Sequence, residues 1–373
     1  MTSGPRKNEL AIVVSDLSSG GAQRVVTTLA NHWAAAGRAV AVITLADDKT
    51  DYFELNPRVE RLIVGGVGPS RSIIGAVKGN LRRIQELRQT LVRANAPTVA
   101  AFIGATNVLT VMAAKRLGMK VVISERNDPA RQSLGRIWDL LRRMFYRRAD
   151  LVTANSQSAI STLSGYIGNK KLRLVHNPIF SPDPLPPRTL EPLILSVGRL
   201  VHQKAQDVLL DAFAAIANEA PDWKLAIVGE GPDEQALRDR AIALGIAGRV
   251  TFAGRADPWP WYARAKIFAL PSRYEGTSNA LLEAMAVGIP PVISDTSGGG
   301  LDVVTDGASG VITPVNDPSA LAHAFRKLIA DPEMRHRMGV AAADSMGVFS
   351  LEVVAAQWES ILELPVPTNG RKL

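Results

Sequence analysis

Two glutamates eight residues apart carry the most chemical information in this 373-residue chain. Glu275 and Glu283 lie in the run RYEGTSNALLEAMA, between two apolar, strand-like segments. The pattern predicts Glu275 on a strand-to-helix loop and Glu283 about one turn inside a helix. That helix would begin at Ser278 and Asn279, which are good N-cap residues. Its exposed amides suit a diphosphate, and the two acids would suit ribose and sugar hydroxyls. The alternative is an exposed loop glutamate and an ordinary helix glutamate.

Two cations follow an earlier strand. Arg199 and Lys204 stand in the run SVGRLVHQKAQDVLLDAF, which predicts a strand over Leu193–Val197, a short loop and an amphipathic helix from about Asp207. Both cations could face one diphosphate leaving group, which fixed positive charges stabilise as its charge develops. The alternative is two solvated loop charges.

The order of these motifs resembles the retaining glycosyltransferases of family GT4. The chain carries, in this order, GRL, QK and D.LL.AF, then a strand followed by Gly-Glu-Gly-Pro, and then EGTSNALLEAMA. The resemblance covers most of the chain. It implies the GT-B fold, in which two Rossmann-like α/β domains face each other across a cleft and a last helix crosses back onto the N-terminal domain. It also implies that Arg199 and Lys204 hold the diphosphate, that Glu275 positions and polarises the transferred sugar, and that Glu283 binds ribose.

Glycine-rich turns add further donor contacts. Gly20 and Gly21 follow the first strand, where glycine lets the backbone approach a phosphate or sugar closely, the alternative being a plain tight turn. The resemblance implies that Gly231 adjoins the nucleotide, that Arg255 follows the strand nearest the nucleobase, and that the stretch 297–302 gives structural support near the donor. The predicted donor-binding residues are Glu283, Gly20, Gly21, Gly231, Arg255, Thr277, Ser278, Asn279 and Ala280.

Strand-like and helical runs alternate along the chain, which predicts parallel βαβ units. A proline-rich segment at 177–192 predicts an extended interdomain connector. We therefore predict an acceptor-binding domain over 1–180, a nucleotide-sugar-binding domain over 181–348 and a helix over 349–364 that packs back on the first domain. We expect the end, 365–373, to be disordered.

Composition is that of a globular protein, with 46% hydrophobic and 21% charged residues. The absence of cysteine excludes disulfides and thiolate metal sites. Five scattered histidines and a polar Asp47-Asp48 loop predict no metal site, and the resemblance implies that no divalent ion or other cofactor is needed. The first apolar strand is too short for a signal peptide, and the longest apolar run, 98–114, is shorter than a membrane span.

Charge is unevenly distributed. Residues 1–180 hold 26 Lys and Arg against 12 Asp and Glu, a net of +14, whereas residues 181–373 hold 17 against 23, a net of −6. Such an asymmetry indicates that the first half faces something anionic. The candidates are nucleic acid, an anionic membrane surface and a polyphosphate lipid.

Two segments predict basic amphipathic helices. In 71–93 the cations fall on one side, while Ile73, Val77, Leu81, Ile84 and Leu91 occupy the opposite side. The segment 135–148 also separates a basic face from an apolar one. Such helices suit an anionic membrane interface, the alternative being core-facing helices with solvated basic faces. In the resembled subgroup a basic helix near 71–93 engages polyprenyl-diphosphate acceptors.

The loop after the strand at 121–124 departs from many GT4 members, which carry a histidine there. Its sequence, Ser124-Glu125-Arg126, resembles bacterial transferases that assemble lipid-linked oligosaccharides, capsules and O-antigens. Arg126 could bind donor or acceptor phosphates, and Glu125 could be a structural partner for it. The predicted acceptor and membrane residues are Arg71, Lys78, Arg82, Arg83 and Arg126.

The sequence thus predicts a retaining glycosyltransferase (a hexosyltransferase) that moves a sugar from a nucleotide-sugar, a UDP-sugar, to a polyprenyl-diphosphate-linked saccharide. We expect it in the cytoplasm, peripherally associated with the inner face of the plasma membrane. Three alternatives stay open: a GT4 transferase with a soluble acceptor, a GT-B nucleotide-sugar epimerase, and a nucleic-acid-binding protein. Against the last alternative, the chain has no recognised nucleic-acid-binding motif and few aromatic residues among its arginines.

Overall fold

The computed structural model of the chain describes residues 8–48, 51–65, 73–182, 184–296 and 298–365. Arg71, Ser297 and the tail 366–373, on which predictions fell, lie outside the described residues. The chain divides into two compact units. Unit 1 comprises residues 1–178 and 351–373, and unit 2 comprises residues 179–350.

Unit 1 contains a seven-stranded, all-parallel sheet in the order β3-β2-β1-β4-β5-β6-β7. Its strands are β1 Leu10–Val14, β2 Val40–Thr44, β3 Glu60–Ile63, β4 Thr98–Phe102, β5 Lys120–Glu125, β6 Leu151–Ala154 and β7 Leu172–Leu174. The helices between them are α1 Gly21–Ala35, α2 Ile73–Ala94, α3 Gly104–Ala114, α4 Arg136–Tyr146 and α5 Gln157–Ser164. Strands β1, β2 and β4 are buried throughout, as expected where helices cover both faces of a parallel sheet.

Unit 2 repeats this architecture with a six-stranded parallel sheet in the order β10-β9-β8-β11-β12-β13. Its strands are β8 Leu193–Val197, β9 Lys224–Val228, β10 Val250–Gly254, β11 Ile267–Leu270, β12 Pro291–Ser294 and β13 Val311–Thr313. Its helices are α6 Gln206–Ile216, α7 Glu234–Ala243, α8 Trp259–Arg264, α9 Asn279–Ala286, α10 Pro318–Ala330 and α11 Pro332–Asp344.

The last helix, α12 (Leu351–Leu362), packs on unit 1. Trp358 is fully buried, with its ring centroid 5.3 Å from that of Phe102. Glu359 lies 3.3 Å from the buried guanidinium of Arg38. The unit 1 core therefore includes the end of the described chain.

Both sheets have one topological switch point, where the strand order reverses. In unit 1 it lies between β1 and β4, and in unit 2 between β8 and β11. Ligands of open α/β sheets bind beyond the carboxyl ends of the strands at such points. The loops that matter most are therefore 198–205 after β8 and 271–278 after β11, with 15–20 after β1 in unit 1.

The structure corrects the predicted apolar face of α2. Leu87 and Leu91 are buried and Ile84 packs against the same core, but Leu81 is 58% exposed. At about 100° per residue, Leu81 points roughly a quarter-turn away from the other three, so it misses the core. None of the described helices is both long enough and apolar enough to cross a bilayer.

Candidate functional site

The switch point of unit 2 brings two of the predicted catalytic residues into contact. Lys204 Nζ makes a short ion pair with Glu275 Oε2, and Ser272 Oγ donates a hydrogen bond to the same oxygen at 3.2 Å. The two charged side chains are only 13% and 12% exposed, so water screens their interaction weakly. A cation and an acid thus meet where a parallel sheet binds its ligand.

Lys204 owes its position to an irregular start of helix α6. Residues His202–Lys204 form a short 3₁₀ helix, and Ala205 then adopts a left-handed conformation with φ of 52°. A side chain in that conformation costs roughly 1–2 kcal/mol relative to ordinary backbone, and such strain clusters at functional sites. The turn directs Lys204 toward loop 271–278 before α6 begins.

Arg199, the third predicted catalytic residue, lies on the same loop with an exposed side chain. Its carbonyl accepts a hydrogen bond from Gln206 Nε2 at 3.2 Å, which holds the loop against the start of α6. Within the described part of the chain, no hydrogen bond or ion pair joins its guanidinium to Glu275. The structure brings Lys204 and Glu275 together and leaves Arg199 at the solvent-facing side of the loop.

Helix α9 begins where the sequence predicts, with Ser278 at the N-cap position and Asn279 as first helical residue. Thr277 and Ser278 are buried, whereas Asn279 and Ala280 are half-buried. Gly298 and Gly299 pack closely against the loop before the helix. A Cβ on Gly299 would lie 2.8 Å from the Thr277 backbone nitrogen.

The neighbouring Gly298 makes the same kind of approach, since its Cβ would lie 2.1 Å from the Glu275 carbonyl oxygen. Only glycine fits at either position without moving the loop that carries Glu275. The glycine run therefore packs against the candidate site, whereas the side chain of Asp302 beyond it is exposed.

Glu283 lies just over one turn inside α9, as predicted, but its carboxyl group faces inward. The residue is 1% exposed, and Oε2 accepts a hydrogen bond from the Tyr262 hydroxyl at 3.0 Å. Tyr262 is itself fully buried, on α8. Tyr262 is not among the residues predicted from the sequence, although its place in the aromatic run WPWY was a signal for a structural anchor. The predicted ribose contact of Glu283 stays a prediction.

The turn after β9 also depends on glycine. A Cβ on Gly231 would lie 2.2 Å from the Leu200 carbonyl oxygen, so the absence of a side chain lets this turn pack on loop 198–205. The Leu200 amide donates to the Glu230 carbonyl at 2.9 Å. Arg255 is exposed and lies 3.5 Å from the Glu230 carboxylate, at the end of β10. The two predicted donor residues Gly231 and Arg255 thus flank one turn.

Gly20 and Gly21 belong to unit 1, at the start of α1 beside the switch point. A Cβ on Gly20 would collide with the side chain of Gln23. Asp16 organises this turn, since its carboxylate accepts hydrogen bonds from the Ser18 amide at 2.9 Å and Gln23 Nε2 at 3.1 Å. Burial alone would raise the pKa of Asp16, but these hydrogen bonds outweigh it and lower the pKa. Asp16 is not among the residues predicted from the sequence, although Asp-x-Ser is a turn signal.

Arg126, the predicted phosphate ligand of unit 1, is buried. Its Nη1 donates to Ser124 Oγ at 3.2 Å, its Nη2 donates to Asn177 Oδ1, and its guanidinium carbon lies 5.7 Å from the centre of the Phe102 ring. Burial lowers its pKa to about 10. All of these contacts of the Arg126 side chain are with residues of unit 1.

Glu125 is not an ion-pair partner of the Arg126 side chain. Its carboxylate accepts from the Arg126 backbone amide at 3.1 Å and from the Tyr146 hydroxyl at 2.7 Å, and lies 4.0 Å from Arg142. Burial raises the pKa of Glu125, although Tyr146 and Arg142 oppose the shift. Asn107 completes this internal network by donating to the Tyr146 hydroxyl at 2.9 Å.

The predicted basic face of α2 is solvent-facing where the structure describes it. Lys78 and Arg82 are exposed, and Arg82 pairs with Glu86 at 2.7 Å. Arg83 is half-buried and donates to Asn80 at 3.3 Å.

Helix α4 carries the more distinctive surface, an exposed apolar ridge of Ile137, Leu140 and Met144, which are 70%, 61% and 43% exposed. Four arginines in or directly after α4 are exposed as well: Arg136, Arg143, Arg147 and Arg148.

Nowhere among the described residues do three or more acidic, histidine or cysteine side chains gather as ligands for a metal ion. The expectation of a metal-independent reaction stays a prediction.

Two family models together span most of the chain. The model for Glycosyltransferase Family 4 matches residues 19–180, and that for Glycosyl transferases group 1 matches residues 180–345.

Two curated relatives illustrate the range of similarity. Over 361 residues the chain is 25% identical to the GalNAc-alpha-(1->4)-GalNAc-alpha-(1->3)-diNAcBac-PP-undecaprenol alpha-1,4-N-acetyl-D-galactosaminyltransferase of Campylobacter jejuni, with 95% of this chain and 98% of that protein covered. Over 160 residues it is 38% identical to the GDP-mannose-dependent alpha-(1-6)-phosphatidylinositol monomannoside mannosyltransferase of Mycolicibacterium smegmatis, covering 40% of this chain and 42% of that protein.

Solved structures agree on the fold. Sucrose-phosphate synthase from Thermosynechococcus elongatus aligns with a TM-score of 0.83 at 20% identity, covering 96% of this chain and 98% of that one. Anabaena HepE in complex with UDP and glucose aligns with a TM-score of 0.78 at 20% identity, covering 95% and 99%.

Fold and sequence together define a glycosyltransferase enzyme of the GT-B class. The chain belongs to glycosyltransferase family 4, and the family, fold class and type of enzyme predicted from its motifs are confirmed.

Proposed function

We propose that this transferase moves a sugar, with retention, from a UDP-sugar to a polyprenyl-diphosphate-linked saccharide at the inner face of the cytoplasmic membrane. The observation that carries the proposal is the contact between Lys204 and Glu275 at the switch point of unit 2. One cation and one acid stand there side by side on the loops after β8 and β11. That pairing suits a ligand with an anionic part and a hydroxyl-rich part.

Lys204 would hold the leaving diphosphate. Its charge is matched by Glu275 in this structure, and an arriving diphosphate would replace the carboxylate as the partner of the ammonium group. Arg199 on the same loop would contact the phosphates from the solvent-facing side. Fixed cations act most strongly where charge develops in the transition state, so both residues would raise kcat more than they lower KM.

Glu275 would position and polarise the transferred sugar. Once Lys204 turns to phosphate, the Glu275 carboxylate keeps the hydrogen bond from Ser272 and gains capacity to accept hydrogen bonds from sugar hydroxyls. Attack by the acceptor hydroxyl on the same face from which the diphosphate leaves would retain the anomeric configuration. The bond from C1 to the diphosphate oxygen breaks, the bond from C1 to the acceptor oxygen forms, and the acceptor proton passes to the departing phosphate oxygen.

UDP is the proposed donor nucleotide because a structural neighbour holds UDP and glucose. A relative that matches 40% of the chain uses GDP-mannose, which makes a GDP-sugar the runner-up. The proposed lipid-linked acceptor draws on the undecaprenol-linked substrate named for the Campylobacter relative.

The surface of α4 supports a membrane-bound acceptor. Ile137, Leu140 and Met144 recur at helical spacing, so one side of α4 presents apolar side chains to solvent. Exposed arginines of the same segment accompany this ridge, and α4 lies within residues 1–180, which carry a net charge of +14. Apolar side chains accompanied by arginine match the interface of an anionic bilayer, where both kinds of group are stabilised.

The test is a nucleoside-diphosphate release assay with UDP-, GDP- and ADP-sugars, each with and without an extract of polyprenyl-diphosphate-linked saccharides. We expect acceptor-dependent release from a UDP-sugar that is lost in Glu275→Gln. Release of GDP from a GDP-sugar, with no release from any UDP-sugar, would show that the donor is a GDP-sugar and not a UDP-sugar. Conversion of the donor without any acceptor would favour the epimerase alternative. No release from any donor, with salt-dependent binding to nucleic acid, would overturn the proposal.

A further inference from the structure

Arg273 connects the two loops of the candidate site. Its guanidinium forms a two-pronged ion pair with Asp207, with Nη1 at 3.0 Å from Oδ1 and Nη2 at 2.6 Å from Oδ2. Nη1 also donates to the His202 carbonyl at 2.6 Å. The Arg273 side chain thus reaches from loop 271–278 to His202 on loop 198–205 and to Asp207 in the first turn of α6.

Backbone contacts join the same two loops. The Arg273 amide donates to the Gln203 carbonyl at 2.8 Å, and Gln203 Nε2 returns a hydrogen bond to the Tyr274 carbonyl at 3.0 Å. Gln203 directly precedes Lys204, and Arg273 stands two residues before Glu275. Any slip of one loop against the other would therefore move Lys204 away from Glu275.

The pair of Arg273 with Asp207 is suited to holding a geometry. The Arg273 side chain is 15% exposed, and a planar guanidinium bound to a carboxylate through two parallel hydrogen bonds fixes both distance and orientation. Partial burial alone would raise the pKa of Asp207, but the hydrogen bonds and charge of Arg273 outweigh it, and the pKa is lowered. The carboxylate therefore stays ionised at neutral pH, and the pair persists.

We propose that Arg273 is a positioning residue: through Gln203 on loop 198–205 and Asp207 in the first turn of α6 it clamps loop 271–278 against the segment 198–207 and sets the placement of Lys204 relative to Glu275. The inference rests on the proposed function, in which these two groups serve the diphosphate and the sugar. Arg273 itself touches neither in this scheme. Its effect on the reaction is through the two residues that it places.

The first test is hydrogen exchange of peptides covering 198–205 and 271–278 in Arg273→Met. We expect faster exchange in both loops, because the variant loses the ion pair and the hydrogen bond to His202 while keeping an aliphatic stem. Arg326→Met is the matched control, since Arg326 makes a two-pronged pair with Glu219 at 2.6 and 2.9 Å elsewhere in unit 2. It should leave exchange in both loops unchanged.

The second test is kinetic. Misplacement of a catalytic group by about 1 Å can cost on the order of 100-fold, so we expect Arg273→Met to lower kcat by about 10- to 100-fold with a smaller change in donor KM. Arg326→Met should keep the wild-type kcat. Arg273→Lys retains one charged contact with Asp207 and should recover part of the loss. If Arg273→Met fails to fold, Asp207→Asn weakens the same clamp and takes its place.

The two hypotheses fail in different ways. If wild-type protein releases no nucleoside diphosphate from any donor, the proposed function fails, while the exchange data still decide whether Arg273 joins the loops. If Arg273→Met exchanges like wild type in both loops, or keeps the wild-type kcat, the positioning role is wrong.

Discussion

The two sheets share a topology but place their charges differently. At the switch point of unit 2, Lys204 and Glu275 lie on loops with 13% and 12% of their side-chain surface exposed, and a diphosphate could separate them. At the end of β5 in unit 1, Glu125 and Arg126 are buried. Glu125 binds the Tyr146 hydroxyl and the Arg126 backbone amide and lies 4.0 Å from the buried Arg142, whereas the Arg126 side chain binds Ser124 and Asn177. The same strand order therefore supports a charge pair that a ligand can reach in one unit and an internal polar network in the other.

This difference shows that residue type alone does not distinguish a binding charge from a structural one. Arg126 follows a strand and stands next to an acid, as the donor-site residues do, yet it is buried with hydrogen-bond partners. Burial distinguishes the two roles, because a buried charged group must have hydrogen-bond partners within the protein. Those partners then occupy the group that would otherwise bind a ligand. Four predictions would break or sharpen the comparison.

The largest expected effect is on turnover. Lys204→Ala should lower kcat by about 100- to 1,000-fold, since it removes a fixed charge from the developing diphosphate. The free energy of unfolding should fall by only about 1–2 kcal/mol, because Glu275 loses its cation but keeps the hydrogen bond from Ser272. Steady-state kinetics and urea unfolding measure the two quantities. A large loss of stability with intact kcat would show that Lys204 is structural, and the contrast between the units would fail.

Arg126→Met should show the opposite pattern. It leaves Ser124 Oγ and Asn177 Oδ1 without their buried donor, so we expect the free energy of unfolding to fall by on the order of 2–3 kcal/mol. Urea denaturation measures the loss. Unchanged stability together with a raised acceptor KM would instead support the phosphate-binding role that the sequence predicted.

The α4 surface gives a smaller effect. Arg143→Gln should weaken binding to vesicles rich in anionic phospholipid by about fivefold, since one basic residue near such a surface contributes roughly 1 kcal/mol. Leu140→Ser should weaken binding to anionic vesicles by at least as much, because it removes an apolar side chain from the interface. Vesicle sedimentation measures both variants.

The control for these variants is Ile242→Ser, which changes an equally exposed apolar residue of unit 2 (66% exposed) and should bind vesicles like wild type. Equal vesicle binding by all variants would remove the membrane assignment of α4.

The smallest effect is on pH dependence. Burial raises the pKa of Glu125, so the folded protein holds this proton more firmly than the unfolded chain. The contribution of Glu125 to stability therefore falls as the pH rises from its unfolded pKa, about 4.3, toward its folded pKa. Glu125→Gln should remove this pH dependence of the free energy of unfolding, while the glutamine side-chain oxygen still accepts a hydrogen bond from the Tyr146 hydroxyl. Unfolding at a series of pH values measures it, with the exposed Glu352→Gln as control. An unaltered curve would mean that Glu125 is not the group responsible.

Much of the fold follows from sequence pattern. The apolar run over Leu193–Val197 predicted β8 at its observed bounds, and the N-cap pair predicted the start of α9, because buried parallel strands and helix starts leave strong local signals. Strand β3, Glu60–Ile63, was missed. It is short, partly exposed and at the sheet edge, so its sequence carries little hydrophobic signal.

The candidate site was predictable only in part. Motif spacing placed Lys204 and Glu275 on the correct loops, but their direct contact depends on the neighbouring positions of β8 and β11 in the sheet, which no local pattern encodes. Arg273 was not singled out for the same reason, since Asp207 lies 66 residues earlier. The burial of Arg126 likewise depends on packing from Phe102 and Asn177, distant in sequence.

The most direct test of the central claim is calorimetric titration of UDP into wild type, Lys204→Ala and Glu275→Gln. If the pair is the donor site, Lys204→Ala should weaken UDP binding by about 10-fold or more, since a hydrogen bond between charged groups contributes roughly 1.5–3 kcal/mol. Glu275→Gln should bind UDP at least as tightly as wild type, because its lysine is released, and yet transfer no sugar. Equal UDP affinity in wild type and Lys204→Ala, or weaker binding only in Glu275→Gln, would contradict the account.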